Sequence, residues 1–254
     1  MRYTSAEFIA FPVALTVIGV VVFLSWLVLR NRGEFAKRIP FVIVTLALLG
    51  LEITKQVLRI AEFGPYNRYH LPFHYCSYFI IWFGIASFTW GRVRQVGIIA
   101  SFVTVFLFMI GFFLEPREII GDASANMLSN YYAFHSFLFH FLVIQFFALI
   151  IAFDLFRPNH KLFAVALGLH IGVLALSLLM AHLFDANFAS MLHGQGSLGL
   201  IQEAWGRVWL TILMFVVVML ADSLVYFGVG VPYYHVRQRL SNRSESVRPV
   251  QMSD

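Results

Sequence analysis

The chain has 254 residues, of which 60% are hydrophobic and only 12% charged, where a soluble domain carries about 25% charged residues. Apolar runs of about twenty residues recur along it, which excludes a soluble globular fold and indicates one polytopic membrane bundle. The net charge of +5 does not point to nucleic acid, because the basic residues fall between the apolar runs, and a single cysteine, Cys76, excludes an internal disulfide.

Seven spans are predicted, at 8–29, 40–61, 71–90, 95–114, 131–153, 162–184 and 208–229. The expected fold class is therefore all-α, a single bundle of seven transmembrane helices over residues 1–235. Residues 236–254 are expected to form a polar, basic and flexible cytoplasmic tail. The first apolar run is too long for a secretory signal and has no small-residue cleavage site. Pro12 marks a kink in the first span, and Pro40 and Pro72 suit first-turn positions of the second and third. Only the connections 115–130 and 185–207 are long.

Basic residues set the expected orientation. Twelve of the eighteen Lys and Arg lie in the first, third and fifth connections and the C-terminal tail, among them Arg30, Arg38, Arg92, Arg94, Arg157 and Arg237. The N-terminus and the other connections hold Arg2, Arg68, Arg117 and Arg207. This bias predicts a cytoplasmic C-terminus and, with an odd number of spans, an external N-terminus. Seven spans also suit receptors and retinal proteins. The seventh span lacks a lysine for a Schiff base, and the third ends in "TWGRVR", without the acidic-arginine-aromatic ending of the common receptors.

An ionisable side chain at mid-bilayer costs at least about 2.5 kcal/mol, so each one inside a span needs a reason. The second span reads "GLEITKQVLRIAE", which puts Glu52, Lys55 and Arg59 at i, i+3 and i+7 on one helical face. A Glu52–Lys55 pair could simply pin helices together, yet two cations on one carboxylate leave a positive charge to spare. The third span, "LPFHYCSY", brings His74, Cys76 and Ser77. The fifth, "YYAFHSFLFHFLVIQ", brings His135, Ser136 and His140. His135 and His140 are five apart, so their side chains point in different directions. The sixth span carries His170 and His182, and the seventh carries Asp222 with Tyr226 one turn on.

Depth groups these residues. At a rise of about 1.5 Å per residue, Cys76, His135, Lys55 and Arg59 all fall within roughly 9 Å of the outer end of their spans. A thiol, an imidazole and two cations thus share one layer, where a helix N-terminus and nearby cations favour thiolate and His135 can act as its base. Against this stands the ordinary behaviour of such residues in membrane helices, a small hydrophobe for cysteine and an interhelical hydrogen bonder for histidine. Asp222 and His170 lie in the inner half.

"HLPFHYCS" beside "YAFHSFLFHF", with "LLGLEITKQ" and "FDANFASMLHG", resembles the YwaF-like integral membrane proteins of bacteria, from about residue 48 to 210. The matching positions are Leu71, Pro72, Cys76, Phe134, His135, His140, Asn187, Phe188 and His193, with Glu52 at the acidic position of the second span. His74 lies outside that pattern. Animal relatives of this group are multispanning proteins implied to move fatty acyl chains between phospholipids on a cysteine, with a histidine assisting. The resemblance thus implies Cys76 as nucleophile and His135 as its partner, with His140, in a bacterial cytoplasmic membrane.

The expected function is a membrane-embedded lipid acyltransferase or acyl hydrolase acting on phospholipids, with no cofactor, no metal and no nucleic-acid partner. Glu52, Lys55, Arg59, His74, Asn187 and His193 are the expected substrate-binding residues. The alternatives are a proton-coupled transporter or binder of lipids or small molecules using the same cavity, and a haem or metal binder using histidines from several spans. No inverted repeat or pair of broken helices supports transport, and nothing in the sequence sets an oligomeric state.

Overall fold

The long apolar runs fold as helices, because within a bilayer a segment must satisfy its own backbone. The computed structural model describes residues 5–64, 71–120, 123–188 and 202–246, and among them there is no strand. The elements in chain order are α1 (Ser5–Leu29), α2 (Glu34–Phe63), a 3-10 turn (Tyr75–Tyr78) leading directly into α3 (Phe79–Phe88), and α4 (Gly91–Leu114). The short α5 (Pro116–Ile120) and α6 (Ala123–Asn126) follow, then α7 (Tyr131–Ala152), α8 (His160–Phe184) and α9 (Arg207–Val225). A π turn (Tyr226–Gly230) carries α9 on into α10 (Val231–Ser246). Helix thus continues through Ser246, into the stretch expected as a flexible tail.

Among the described residues six helices are long and apolar enough to cross a membrane: α1, α2, α4, α7, α8 and the continuous α9–α10 rod. The expected span 71–90 falls short of a seventh. Its helical part has four 3-10 and ten α-helical residues, a rise of roughly 23 Å against about 30 Å of hydrocarbon. The cause is local. Pro72 lies ahead of the helix rather than in its first turn, and His74 is extended, with φ −76° and ψ 149°. The chain from Leu71 to His74 therefore joins the bundle as irregular backbone. Its Phe73 carbonyl lies 3.1 Å from the Tyr78 hydroxyl and 3.2 Å from the Ser177 hydroxyl of α8, and the two hydroxyls also bond each other. One O–H donates to the carbonyl while the other donates to its neighbour.

α4 is the central helix, with two-thirds of its apolar window buried. It meets α3 closely: a Cβ at Gly97 would stand 2.5 Å from the backbone nitrogen of Ala86. Stacked Phe83 and Phe146 (3.8 Å) join α3 to α7, and Phe41 of α2 meets Phe146 edge-on at 5.1 Å. α2 buries one stripe, Arg38, Phe41, Val44, Thr45, Leu48 and Glu52, at helical spacing. At one end of that stripe Arg38 lies over the Trp90 ring at 3.2 Å, and Arg94 pairs with Glu34 at 3.4 Å. At the other end stands Glu52.

Removing one hydroxyl of the Tyr78–Ser177 pair leaves one donor for the Phe73 carbonyl. Tyr78→Phe and Ser177→Ala are each expected to cost about 1 kcal/mol, and the double variant more than their sum, because the carbonyl then has no donor in apolar surroundings. Thermal unfolding of the purified protein in detergent measures this; simple additivity would contradict it.

Candidate functional site

Glu52 is the hub of the polar cluster on α2, and is 6% exposed. Helical spacing places Lys55 and Gln56 one turn on, at i+3 and i+4. Lys55 Nζ donates to Glu52 Oε2 at 2.7 Å, and Gln56 Nε2 donates to Oε1 at 2.8 Å. His135 of α7 brings its Nε2 to 3.6 Å from Glu52 Oε2. The carboxylate is thus surrounded by a cation, an amide and an imidazole, the arrangement needed for a charge kept inside a membrane.

α7 is fixed at this height by its own start. Asn130 caps it, its side chain accepting from the Tyr132 and Ala133 N–H groups. One residue on, the Tyr131 hydroxyl donates to the Leu51 carbonyl of α2 at 3.2 Å, next to Glu52. His135 and His140 part company, as a spacing of five requires. His135 faces Glu52 and stacks on Phe139 at 5.5 Å. His140 lies against Phe108 and Phe112 of α4, at 5.4 and 6.1 Å. Its Nδ1 donates to the Ser136 carbonyl at 2.6 Å, which leaves Nε2 as the lone-pair nitrogen. That buried nitrogen has no hydrogen-bond partner among the described residues.

Cys76 lies in the 3-10 turn that opens the third helix, half-buried and packed against the main core. Lys55 and Glu52 are both within electrostatic reach of its thiol, and Lys55 is also within reach of His140. Arg59 lies beyond this group on α2, its guanidinium 3.9 Å above the Tyr132 ring, whose hydroxyl donates to Glu62 at 2.6 Å. His74 is exposed and turns to the other side of its turn, edge-on to Phe188 at 5.5 Å. Phe188 also meets Phe73 at 5.4 Å, so the segment with Asn187 and Phe188 docks on the chain leading to Cys76. His193 lies outside the described residues. Among the described residues no three His, Cys, Asp or Glu side chains converge as a metal site.

Several participants were not singled out from sequence. Gln56 could have been, since it is i+4 from Glu52. Tyr78, Ser177 and Tyr131 carry no signal in a single sequence, because hydroxyls in membrane helices commonly bond their own backbone. His170 and Asp222, 52 residues apart, meet in a buried hydrogen bond of 2.6 Å between Nδ1 and Oδ2. Tyr226 instead stacks on Phe163 at 4.0 Å.

Because Glu52 balances Lys55, Glu52→Gln leaves a cation uncompensated in the bundle. A loss of about 3–5 kcal/mol is expected, with most of it recovered in Glu52→Gln/Lys55→Met. Unfolding curves of the three proteins in one detergent compare them, and a double variant no better than the single would rule out charge balance as the role of Glu52.

No curated protein and no solved structure matches the chain. A family model does match, over residues 2–226, which takes in every candidate residue and all but the end of the last span. The chain belongs to the TMEM164 family.

Proposed function

We propose that this integral membrane protein is an acyl-transfer enzyme acting on phospholipids, with Cys76 as nucleophile and His135 as its proton acceptor. The observation that carries this reading is the buried Lys55–Glu52–His135 network, of which Lys55 and Glu52 are both within electrostatic reach of the only thiol of the chain. Cys76 also lies in the turn that opens its helix, at the positive end of the helix dipole.

The proposed chemistry has two steps. The Cys76 sulfur attacks the ester carbonyl of a phospholipid, the thiol proton passes to His135, and the S–C bond forms. The C–O bond then breaks, and the lysophospholipid leaves with the proton that His135 returns. An acceptor hydroxyl or water next gives its proton to His135 and attacks the thioester carbonyl; the S–C bond breaks, the acyl product departs, and the sulfur takes the proton back from His135. Glu52 orients and balances the imidazolium, in the role of the third member of a nucleophile–base–acid set. Lys55 offsets charge on the oxyanion, with Arg59 on the phosphate. His140, its lone-pair nitrogen facing the interior, is the second candidate base. His74 and Asn187 line the approach, and His193 is a further substrate-binding residue on this reading.

On this reading the chain is a YwaF-like protein of a bacterial cytoplasmic membrane. It crosses seven times, counting the short third helix with its irregular lead-in, with the N-terminus outside and the C-terminus in the cytoplasm. The distribution of Lys and Arg supports that orientation. Proton-coupled transport is the second reading, favoured by the titratable His170–Asp222 pair buried between two other helices.

Incubation of the purified protein with phospholipid radiolabelled in its acyl chain separates the two. Acyl transfer predicts a hydroxylamine-sensitive label on Cys76, absent from Cys76→Ala, and turnover falling at least about a hundredfold in His135→Ala. Unchanged lipid remodelling by Cys76→Ala would end the acyl-enzyme reading.

A further inference from the structure

The turn that carries Cys76 is framed by two tyrosines. Tyr78 is held by Ser177 and the Phe73 carbonyl. Tyr75 has a different support: its ring lies 5.6 Å from the imidazole of His170 on α8. Trp82, seven residues and two helical turns further on, meets the same imidazole edge-on at 6.1 Å. His170 thus grips one face of the third helix at two points, and the upper point is the residue next to Cys76.

His170 is held in turn from the far side. Its Nδ1 bonds Asp222 Oδ2 at 2.6 Å, and the two residues are 2% and 3% exposed. Asp222 belongs to α9, a helix that buries only Leu210, Asp222 and Val225 of its nineteen residues. Nine of those nineteen residues are exposed, with large apolar side chains such as Val216, Leu220 and Leu224 among them. A helix held by so few buried groups depends on each of them. The hydrogen bond to His170 is the buried polar one, beside an exposed Arg207–His182 contact at 3.4 Å, and in a low dielectric it resists separation, because parting the two would leave unpaired polar groups in apolar surroundings.

These contacts form one chain, from α9 through Asp222, His170 and Tyr75 to Cys76. We propose that His170 and Asp222 are positioning residues, coupling the placement of α9 to the turn that presents the Cys76 thiol. This goes beyond the acyl-transfer reading and does not require Cys76 to be a nucleophile. It makes the lightly held α9 a part that, when displaced, alters exposure of the thiol.

Because Cys76 is the single cysteine, the rate of its alkylation by N-ethylmaleimide in proteoliposomes holding the full chain reads that turn alone. Asp222→Ala is expected to change the rate about fivefold. Asp222→Asn, whose side-chain oxygen still accepts from His170, is expected to stay within about twofold. In a Tyr75→Leu background, which removes the ring against His170, Asp222→Ala is expected to add nothing, as required if the effect runs through Tyr75. A wild-type rate in Asp222→Ala, or its full effect persisting beside Tyr75→Leu, overturns the proposal. Should Asp222→Ala misfold, with labelling as fast as in denaturing detergent, His170→Leu/Asp222→Leu removes both polar groups together and keeps the volume apolar. An unchanged rate in that double variant likewise overturns the coupling. Loss of acyl transfer in Cys76→Ala bears on the other reading alone.

Discussion

The arrangement of this bundle depends on one backbone carbonyl. Phe73 lies where the chain is not yet helical, and its carbonyl would be a costly orphan inside the membrane layer. The Tyr78 and Ser177 hydroxyls provide for it. Ser177 is seven residues from the end of α8, so the irregular segment reaches well down beside that helix. This clasp lets the third helix begin late and short, and so places Cys76 in its first turn rather than in the second turn of a full-length span.

The late start has consequences on both sides of the turn. On one side is the Glu52 cluster, whose carboxylate no lipid could solvate and which is bonded by Lys55 and Gln56, with His135 at 3.6 Å. On the other is an apolar patch where Phe188 closes over Phe73 and His74. The turn that carries the thiol thus has a charged group and an apolar patch as neighbours. That combination suits a molecule with a polar head and an apolar tail, and it gives the acyl-transfer reading its physical appeal. The same surroundings show why Lys55 is central: it is within reach of Glu52, Cys76 and His140 alike, and one carboxylate balances it.

Much of this was legible in the residues themselves. The Glu52–Lys55 pair follows from i, i+3 spacing, and the divergence of His135 and His140 from a spacing of five. Other features were hidden. Pro72 reads as a first-turn residue, yet an extended His74 separates it from the helix. Arg59 shares the face of Glu52 and Lys55, but it stacks on Tyr132 instead of joining the carboxylate, because a two-turn rise carries it past Glu52. His170 and Asp222 read together as inner-half residues, but only the packing of α8 on α9 brings them into contact.

Periodicity and composition by themselves determined that this chain is a helical membrane bundle, where its long helices run, and which ionisable groups share a helix face. Those are local properties, governed by apolar run length and by a pitch of 3.6 residues. Only the tertiary structure decided how far the third helix extends, which neighbour each histidine meets, and that a pair 52 residues apart forms a hydrogen bond. These depend on contacts between helices distant in sequence, whose rotation and depth are set by mutual packing and by the demand that every buried polar group find a partner.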